Sequence, residues 1–290
     1  MKKQIVFHHI MTLPTILILA FLTLFPIIYT VYYSLTDFYY LSLASSTYIG
    51  LDNYIKILND DIFRLSLRNT LKFMFFAVII ETFLGLVMAL IIQNKKKRVA
   101  KIYRILFLLP TLLPPVTVAL IWQMMLSNSR GVINQLLSYI GLGPYNWLQD
   151  VQLAMPSIIL IDVWQWSPFA FLLIYAAIQT VPKTQYEAAM IDGASWGAKF
   201  IYITIPNISQ AIFVVILLRT IDTFRLFDKV NILTKGGPAN TTTTITQYIY
   251  QNGVNNLKVG YGSAVSILMV LMVLLLSSVY IKRAFGENNG

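Results

Sequence analysis

The chain has 290 residues, of which 57% are apolar and only 12% charged, whereas a soluble domain carries about 25% charge, so this composition fits lipid as the main solvent. It has no cysteine, which excludes a disulfide scaffold, a thiolate metal site and a cysteine nucleophile. The formal charge of +10 raises nucleic acid as a partner, but the basic residues sit in short clusters beside apolar runs, without interleaved aromatics, and argue against it.

A helix needs about 20 mostly apolar residues to cross the hydrocarbon layer. Six runs meet that length, at about 11–35, 73–92, 105–126, 155–178, 208–227 and 259–281. None shows the period-two alternation of a spanning barrel. The pattern predicts an all-α membrane protein, one domain over residues 1–290, with six transmembrane helices.

The first run follows Lys2, Lys3 and the adjacent His8 and His9. Those histidines lie far from any carboxylate cluster, which speaks against a metal site or a histidine-based hydrolase. The run is too long for the core of a cleaved signal, and no small-residue cleavage site precedes Tyr32, Tyr33 and Tyr39, so it reads as a retained span. The second run carries Glu81 near its middle, a position that fits either a partnered helix-packing group or a substrate contact. Next comes the basic loop 94–104, with Lys95, Lys96, Lys97, Arg98, Lys101 and Arg104. Basic residues mark the cytoplasmic side. With Lys2 and Lys3 in front and Lys282 and Arg283 behind, both termini are expected to be cytoplasmic. Loops 36–72, 127–154 and 228–258, which hold Asp37, Asp52, Asp60, Asp61, Asp150 and Asp228, then face outward.

Pro26, Pro110, Pro114, Pro115 and Pro168 each interrupt a span, and neighbouring groups must satisfy the carbonyls they free. In the fourth span Asp162, Gln165, Trp166 and Phe169 recur at i, i+3, i+4 and i+7, on one stripe in its outer half. In the fifth, Arg219, Asp222 and Arg225 are spaced to pair along their own helix. Carboxylates and amides beside a flat ring suit a sugar, whose hydroxyls need hydrogen bonds and whose C–H faces stack on rings. The structural alternative stands beside it: Trp164 and Trp166 as interfacial belt residues, and the polar groups as helix glue.

Between the fourth and fifth spans, residues 180–207 must be cytoplasmic on this layout. Pro182 suits the first position of a short helix over 183–192, and Gly193 supplies a left-handed stop. Ser195 suits the cap of a second helix running through Trp196, Phe200 and Ile203, with a bend expected at Pro206. Ala188 and Ala189 give the first helix a low profile, and Glu187 and Asp192 a charged edge. From residue types alone, a docking knob and an ordinary interfacial connector are equally good readings.

At these residues the sequence resembles the permease subunits of bacterial ABC importers. Their loop has the form Glu-Ala-Ala, three residues, Gly, nine residues, Ile, one residue, Leu-Pro. Here it stands as Glu187-Ala188-Ala189, Gly193, Ile203 and Ile205-Pro206, with Ile205 for Leu as the one, volume-conserving departure. Ile191-Asp192-Gly193-Ala194, Asn69-Thr70, LPTLLPP at 109–115, GVINQLL at 131–137 and TKGGPANTTT at 234–243 are similar to the branch importing sugars and glycerol phosphate.

The resemblance implies a coupling helix, with Glu187, Ala188, Ala189, Asp192, Gly193, Ile203 and Pro206 seated on a cytoplasmic ATPase. It also implies a second homologous permease, two ATPase subunits, an extracytoplasmic solute-binding protein, a sugar substrate and residence in the bacterial cell membrane. No cofactor is expected on this chain, since it lacks a G-x-x-x-x-G-K-[ST] loop; ATP and magnesium would belong to the partner ATPase. A secondary transporter driven by an ion gradient is the alternative, though no internal repeat supports it. A membrane enzyme would need catalytic residues clustered at one depth, and the sequence has none.

Overall fold

The computed structural model describes residues 2–42, 46–93 and 95–286, and its regular elements are helical. Asn94 of the basic loop and residues 43–45 of the first outer loop lie outside the described residues. In chain order the helices are α1 (Lys2–Ser34), α2 (Asp52–Leu58), α3 (Asp61–Gln93), α4 (Lys97–Leu112), α5 (Pro115–Met125), α6 (Val132–Ser138) and α7 (Ala154–Thr180). They continue with α8 (Lys183–Ile191), α9 (Trp196–Lys199), α10 (Ile205–Thr223), α11 (Asp228–Leu233), α12 (Ile245–Ile249) and α13 (Val259–Gly286). Wide π-helical turns at Phe200–Thr204 and Tyr250–Asn255 join α9 to α10 and follow α12.

Among the described residues, five helical stretches are long and apolar enough to cross a membrane, and α4 with α5 makes up to six. The run 105–126 is not one helix: α4 and α5 meet at 91°. The cause is the consecutive Pro114 and Pro115, each of which drives the residue before it out of the helical region. Leu113 and Pro114 are accordingly extended, with ψ 135° and 139°. Proline alone does not break a span, because Pro14 and Pro26 sit within an unbroken α1. The bend expected at Pro206 is absent, and the helical path runs from Trp196 to Thr223. Pro206 falls in the first turn of α10, and the wide turn before it absorbs the bond that proline cannot donate.

The chain forms two compact units, Met1–Phe63 with Tyr248–Met272, and Arg64–Gln247 with Val273–Gly290. In the first, Asn53 Nδ2 donates to the carbonyls of Ser34 (3.0 Å) and Thr36 (2.8 Å), fixing the end of α1 to α2. Gly260 lets the start of α13 approach residues 36–38; its N–H donates to the Phe38 carbonyl at 2.9 Å. Asp60 caps α3 by accepting from the Ile62 and Phe63 N–H groups, and it also accepts from the Tyr248 hydroxyl at 2.7 Å. Burial pushes the Asp60 carboxyl up, but these donors outweigh it and hold it below the usual carboxylate range.

The second unit is built around α7. Two thirds of its most apolar stretch is buried, against one third for α3. Phe73, Ala77, Val118, Met155, Ile158 and Val230 join α3, α5, α7 and α11 in one apolar cluster. Ala89, Ala100, Phe171, Ile174, Ile208 and Val215 join α3, α4, α7 and α10 in another. Gly85 of α3 lies against Ala170 of α7, where a Cβ would come within 2.6 Å of the Ala170 Cβ.

Candidate functional site

Between those two apolar clusters the second unit places a charged one. Arg219 on α10 donates from Nε to Glu81 Oε2 (2.6 Å) and from Nη2 to Glu81 Oε1 (3.1 Å), a two-pronged contact across to α3. The same Nη2 reaches Asp162 Oδ2 on α7 at 2.8 Å, and Nη1 reaches Asp222 Oδ2 one turn along α10 at 2.5 Å. Lys229 of α11 donates through Nζ to the other oxygen of Asp162. Glu81, Asp162, Arg219 and Lys229 are all buried. Arg225 Nη2 stands 3.6 Å from Asp222 Oδ1, and both side chains are exposed enough to meet water. Three carboxylates thus face three cations, and the group is formally neutral.

The sequence stripe on α7 divides when folded. Asp162 enters the ion network, and Trp166 lies under it, with the Arg219 guanidinium 4.8 Å from its ring centroid. Phe169 meets the edge of Trp166 at 6.3 Å, so that ring already has two protein neighbours. Gln165 turns to the α4–α5 break. Its Nε2 donates to the Leu113 carbonyl (2.9 Å), and its backbone carbonyl accepts from Thr111 Oγ1 (2.7 Å). These bonds satisfy polar groups around the break made by the consecutive prolines. Glu81, Asp162 and Arg219 each stand out in sequence as charges in apolar runs, but Lys229 does not. Its signal is the short apolar stretch VNIL that follows it, which becomes the half-buried α11.

A small cavity of about 120 Å³ opens beside the cluster, bordered by Trp166, Asp222, Arg225, Phe227 and Asp228. Ligand pockets usually span roughly 300–1,000 Å³, so this space alone does not enclose a sugar.

At the α7–α10 connection, α8 ends in a Schellman turn. The Ala194 N–H donates to the Ala189 carbonyl (2.8 Å) and the Gly193 N–H to the Met190 carbonyl (3.1 Å), while Gly193 takes φ +71°. Ser195 Oγ then accepts from the Ala198 N–H at 3.2 Å and caps α9. Tyr186 OH meets Thr204 Oγ1 at 3.0 Å, and Asn207 Nδ2 donates to Gln185 Oε1 at 3.0 Å, so α8 is tied back to the root of α10. No residue of α8 is buried, and Met190, Ile191 and Trp196 project as exposed apolar side chains. Glu187 and Asp192 are exposed on the same knob, while Ile203 is half-buried and Pro206 exposed at its base.

A polytopic helical bundle with a rigid helix–turn–helix knob at one inter-span connection is the architecture of a membrane transport subunit. The family described as binding-protein-dependent transport system inner membrane component matches residues 81–285, and the chain belongs to it. The trehalose/maltose transport system permease protein of Thermococcus litoralis is 37% identical over 275 residues, covering 94% of this chain and 92% of that protein. The sulfoquinovosyl glycerol transport system permease protein of Agrobacterium fabrum is 34% identical over 93% of this chain and 87% of its own length. The lactose transport system permease protein of Rhizobium radiobacter is also 34% identical, over 91% and 89%. Among solved structures, a chain of a bacterial alginate ABC transporter, in complex with alginate pentasaccharide-bound periplasmic protein, superposes with a TM-score of 0.87. It covers 99% of this chain and 96% of that one at 24% identity, a likeness of fold. The chain is therefore a multi-pass membrane permease subunit and not itself an enzyme, and nothing among these relatives supports the ion-gradient alternative.

Proposed function

We propose that this chain is one of two homologous permease subunits of an ATP-driven importer of a sugar or oligosaccharide in a bacterial cell membrane. Both termini and the α8–α9 knob face the cytoplasm, and a solute-binding protein delivers substrate to the opposite face. Two cytoplasmic ATPase subunits bind ATP and magnesium, and this chain binds neither. The observation that carries the reading is the knob itself. Its Glu187 and Ala188 are exposed and Ala189 is half-buried, Gly193 fixes the turn, and Tyr186 and Asn207 tie it to the base of α10. A push on Glu187, Ala188, Ala189 or Asp192 therefore reaches α10 through Ile203 and Pro206 without being absorbed by a slack loop. The sugar class is supported by the three relatives named above, all from carbohydrate systems.

Within the spans, Trp166, Asp222 and Arg225 line the cavity without being buried, and they are proposed as the residues of this group nearest the substrate path. Glu81, Asp162 and Arg219 hold the helices that present them, while Gln165 and Phe169 support the α4–α5 break and the Trp166 ring. The small cavity is proposed as one wall of a path completed by the second permease.

The test is co-purification of the detergent-solubilised complex. An ATPase is expected to accompany the chain, and its hydrolysis to rise on adding binding protein and sugar. Gly193→Pro, which fits neither φ +71° nor the Met190 bond, and Glu187→Lys are expected to abolish that rise while the chain stays in the membrane. Hydrolysis indifferent to both substitutions would overturn the coupling role.

A further inference from the structure

One strongly charged face is used neither by the ion network nor by the knob. Arg64, Arg68 and Lys72 recur every fourth residue of α3 and so lie in one row, exposed, just before the run expected to span the membrane. Like charges at that spacing repel, and α3 offers no acidic residue between Asp61 and Glu81. Glu81 is on the opposite, buried face and committed to Arg219. Among the described residues, Arg68 and Lys72 make no hydrogen bond or ion pair. The groove along the row is lined by α3 alone, through the three cations with Leu67, Leu71, Met74 and Phe75.

Below the cations the same side of the helix continues as exposed Phe75, Phe76, Ile79 and Phe83. From Lys72 to Phe83 the rise is about 16 Å, close to half of a roughly 30 Å hydrocarbon layer. The face therefore carries a cationic head and an apolar tail of one leaflet's depth. Its charge also runs against the topology reading, which puts this end of α3 on the side where basic residues are scarce.

We propose that Arg68 and Lys72, with Arg64 above them, form a binding site for the headgroup of an anionic phospholipid whose acyl chains lie along Phe75, Phe76, Ile79 and Phe83. Two unpaired cations at the boundary give the phosphate a charge-complementary seat, and the rings below give the chains a packed wall. A lipid held there adds to the annulus around α3 without entering the substrate path.

The experiment is native mass spectrometry of the intact chain, released from micelles containing equal phosphatidylglycerol and phosphatidylcholine. The wild type is expected to retain phosphatidylglycerol with roughly tenfold or greater preference, the scale of two interfacial cations. Arg68→Gln with Lys72→Gln is expected to bring the preference to parity, while Lys95→Gln with Lys96→Gln, an equal loss of charge elsewhere, keeps it. If the first double variant does not fold, each single substitution is expected to reduce the preference by several-fold, and raising salt to weaken it in the wild type. An unchanged preference in the Arg68 and Lys72 variants overturns the site. So does competition by inorganic phosphate at the lipid's concentration, which would make it a free-anion site. So does loss of retained lipid in the complex with a second permease, which would mean that protein covers this face.

Discussion

A guanidinium withdrawn from water into an apolar bundle is stable only where carboxylates and rings replace its hydration. Arg219 meets that condition with Glu81, Asp162 and Asp222 around its nitrogens and Trp166 against its face. Removing one member of such a set costs more than the set contributes, because the remaining charges are left buried and uncompensated. Arg219→Met is therefore expected to lower stability by about 3–5 kcal/mol in a denaturant series on the detergent-solubilised chain. Arg219→Met with Glu81→Met removes both halves of the two-pronged buried pair and is expected to recover much of the loss. A double variant no more stable than the single one would show that Arg219 acts through shape and not charge. The members of this network were legible in the sequence one at a time, as charges within apolar runs. Their meeting was not, because helical spacing tells which face a residue occupies and leaves open which faces of different helices touch. Gln165 illustrates the gap: it shares a stripe with Asp162, yet it turns to a proline break about fifty residues earlier in the chain.

At the scale of elements, the spans were legible from length and apolarity, and the knob from Pro182, Gly193 and Ser195. The angle between α4 and α5 was not, since consecutive prolines announce an interruption without fixing its direction. Helix approach is set the same way, by small residues whose partners lie elsewhere in the chain. Gly85 allows α3 and α7 to touch; a methyl there would come within 2.6 Å of both the Ala170 Cβ and the Phe171 backbone nitrogen. Alanine is the better helix former by about 0.5–1 kcal/mol, whereas forcing extra volume into a packed contact costs roughly 1–3 kcal/mol. Overpacking should win. Gly85→Ala is expected to lower the midpoint of thermal unfolding, and Ala170→Gly in the same chain to restore part of it. The restoration is partial because the Phe171 backbone remains in the way. A Gly85→Ala chain more stable than wild type would mean that the helices separate easily and propensity decides.

Over the whole molecule, large apolar side chains stand exposed along helix after helix, and α1 buries none of its most apolar stretch. In water such a surface would be an aggregation liability; in lipid it is the solvated face. Whether the bent pair α4–α5 crosses the membrane or turns back decides the position of the knob. If the pair crosses, α7 returns the chain to the side of the basic loop, and the knob shares that side. If the pair is re-entrant, α7 carries the knob to the opposite side, out of reach of an ATPase. The absence of cysteine makes the test direct, because each introduced thiol reports alone. Lys96→Cys in the basic loop and Ser195→Cys in the knob are expected to react with a membrane-impermeant thiol reagent from the same side, and only after that side is opened in intact cells. Ser138→Cys on α6 is expected to react from the opposite side without opening. Labelling of Ser195→Cys without opening, with Ser138→Cys reacting only after opening alongside Lys96→Cys, would make α4–α5 a re-entrant loop and remove the knob from any cytoplasmic motor.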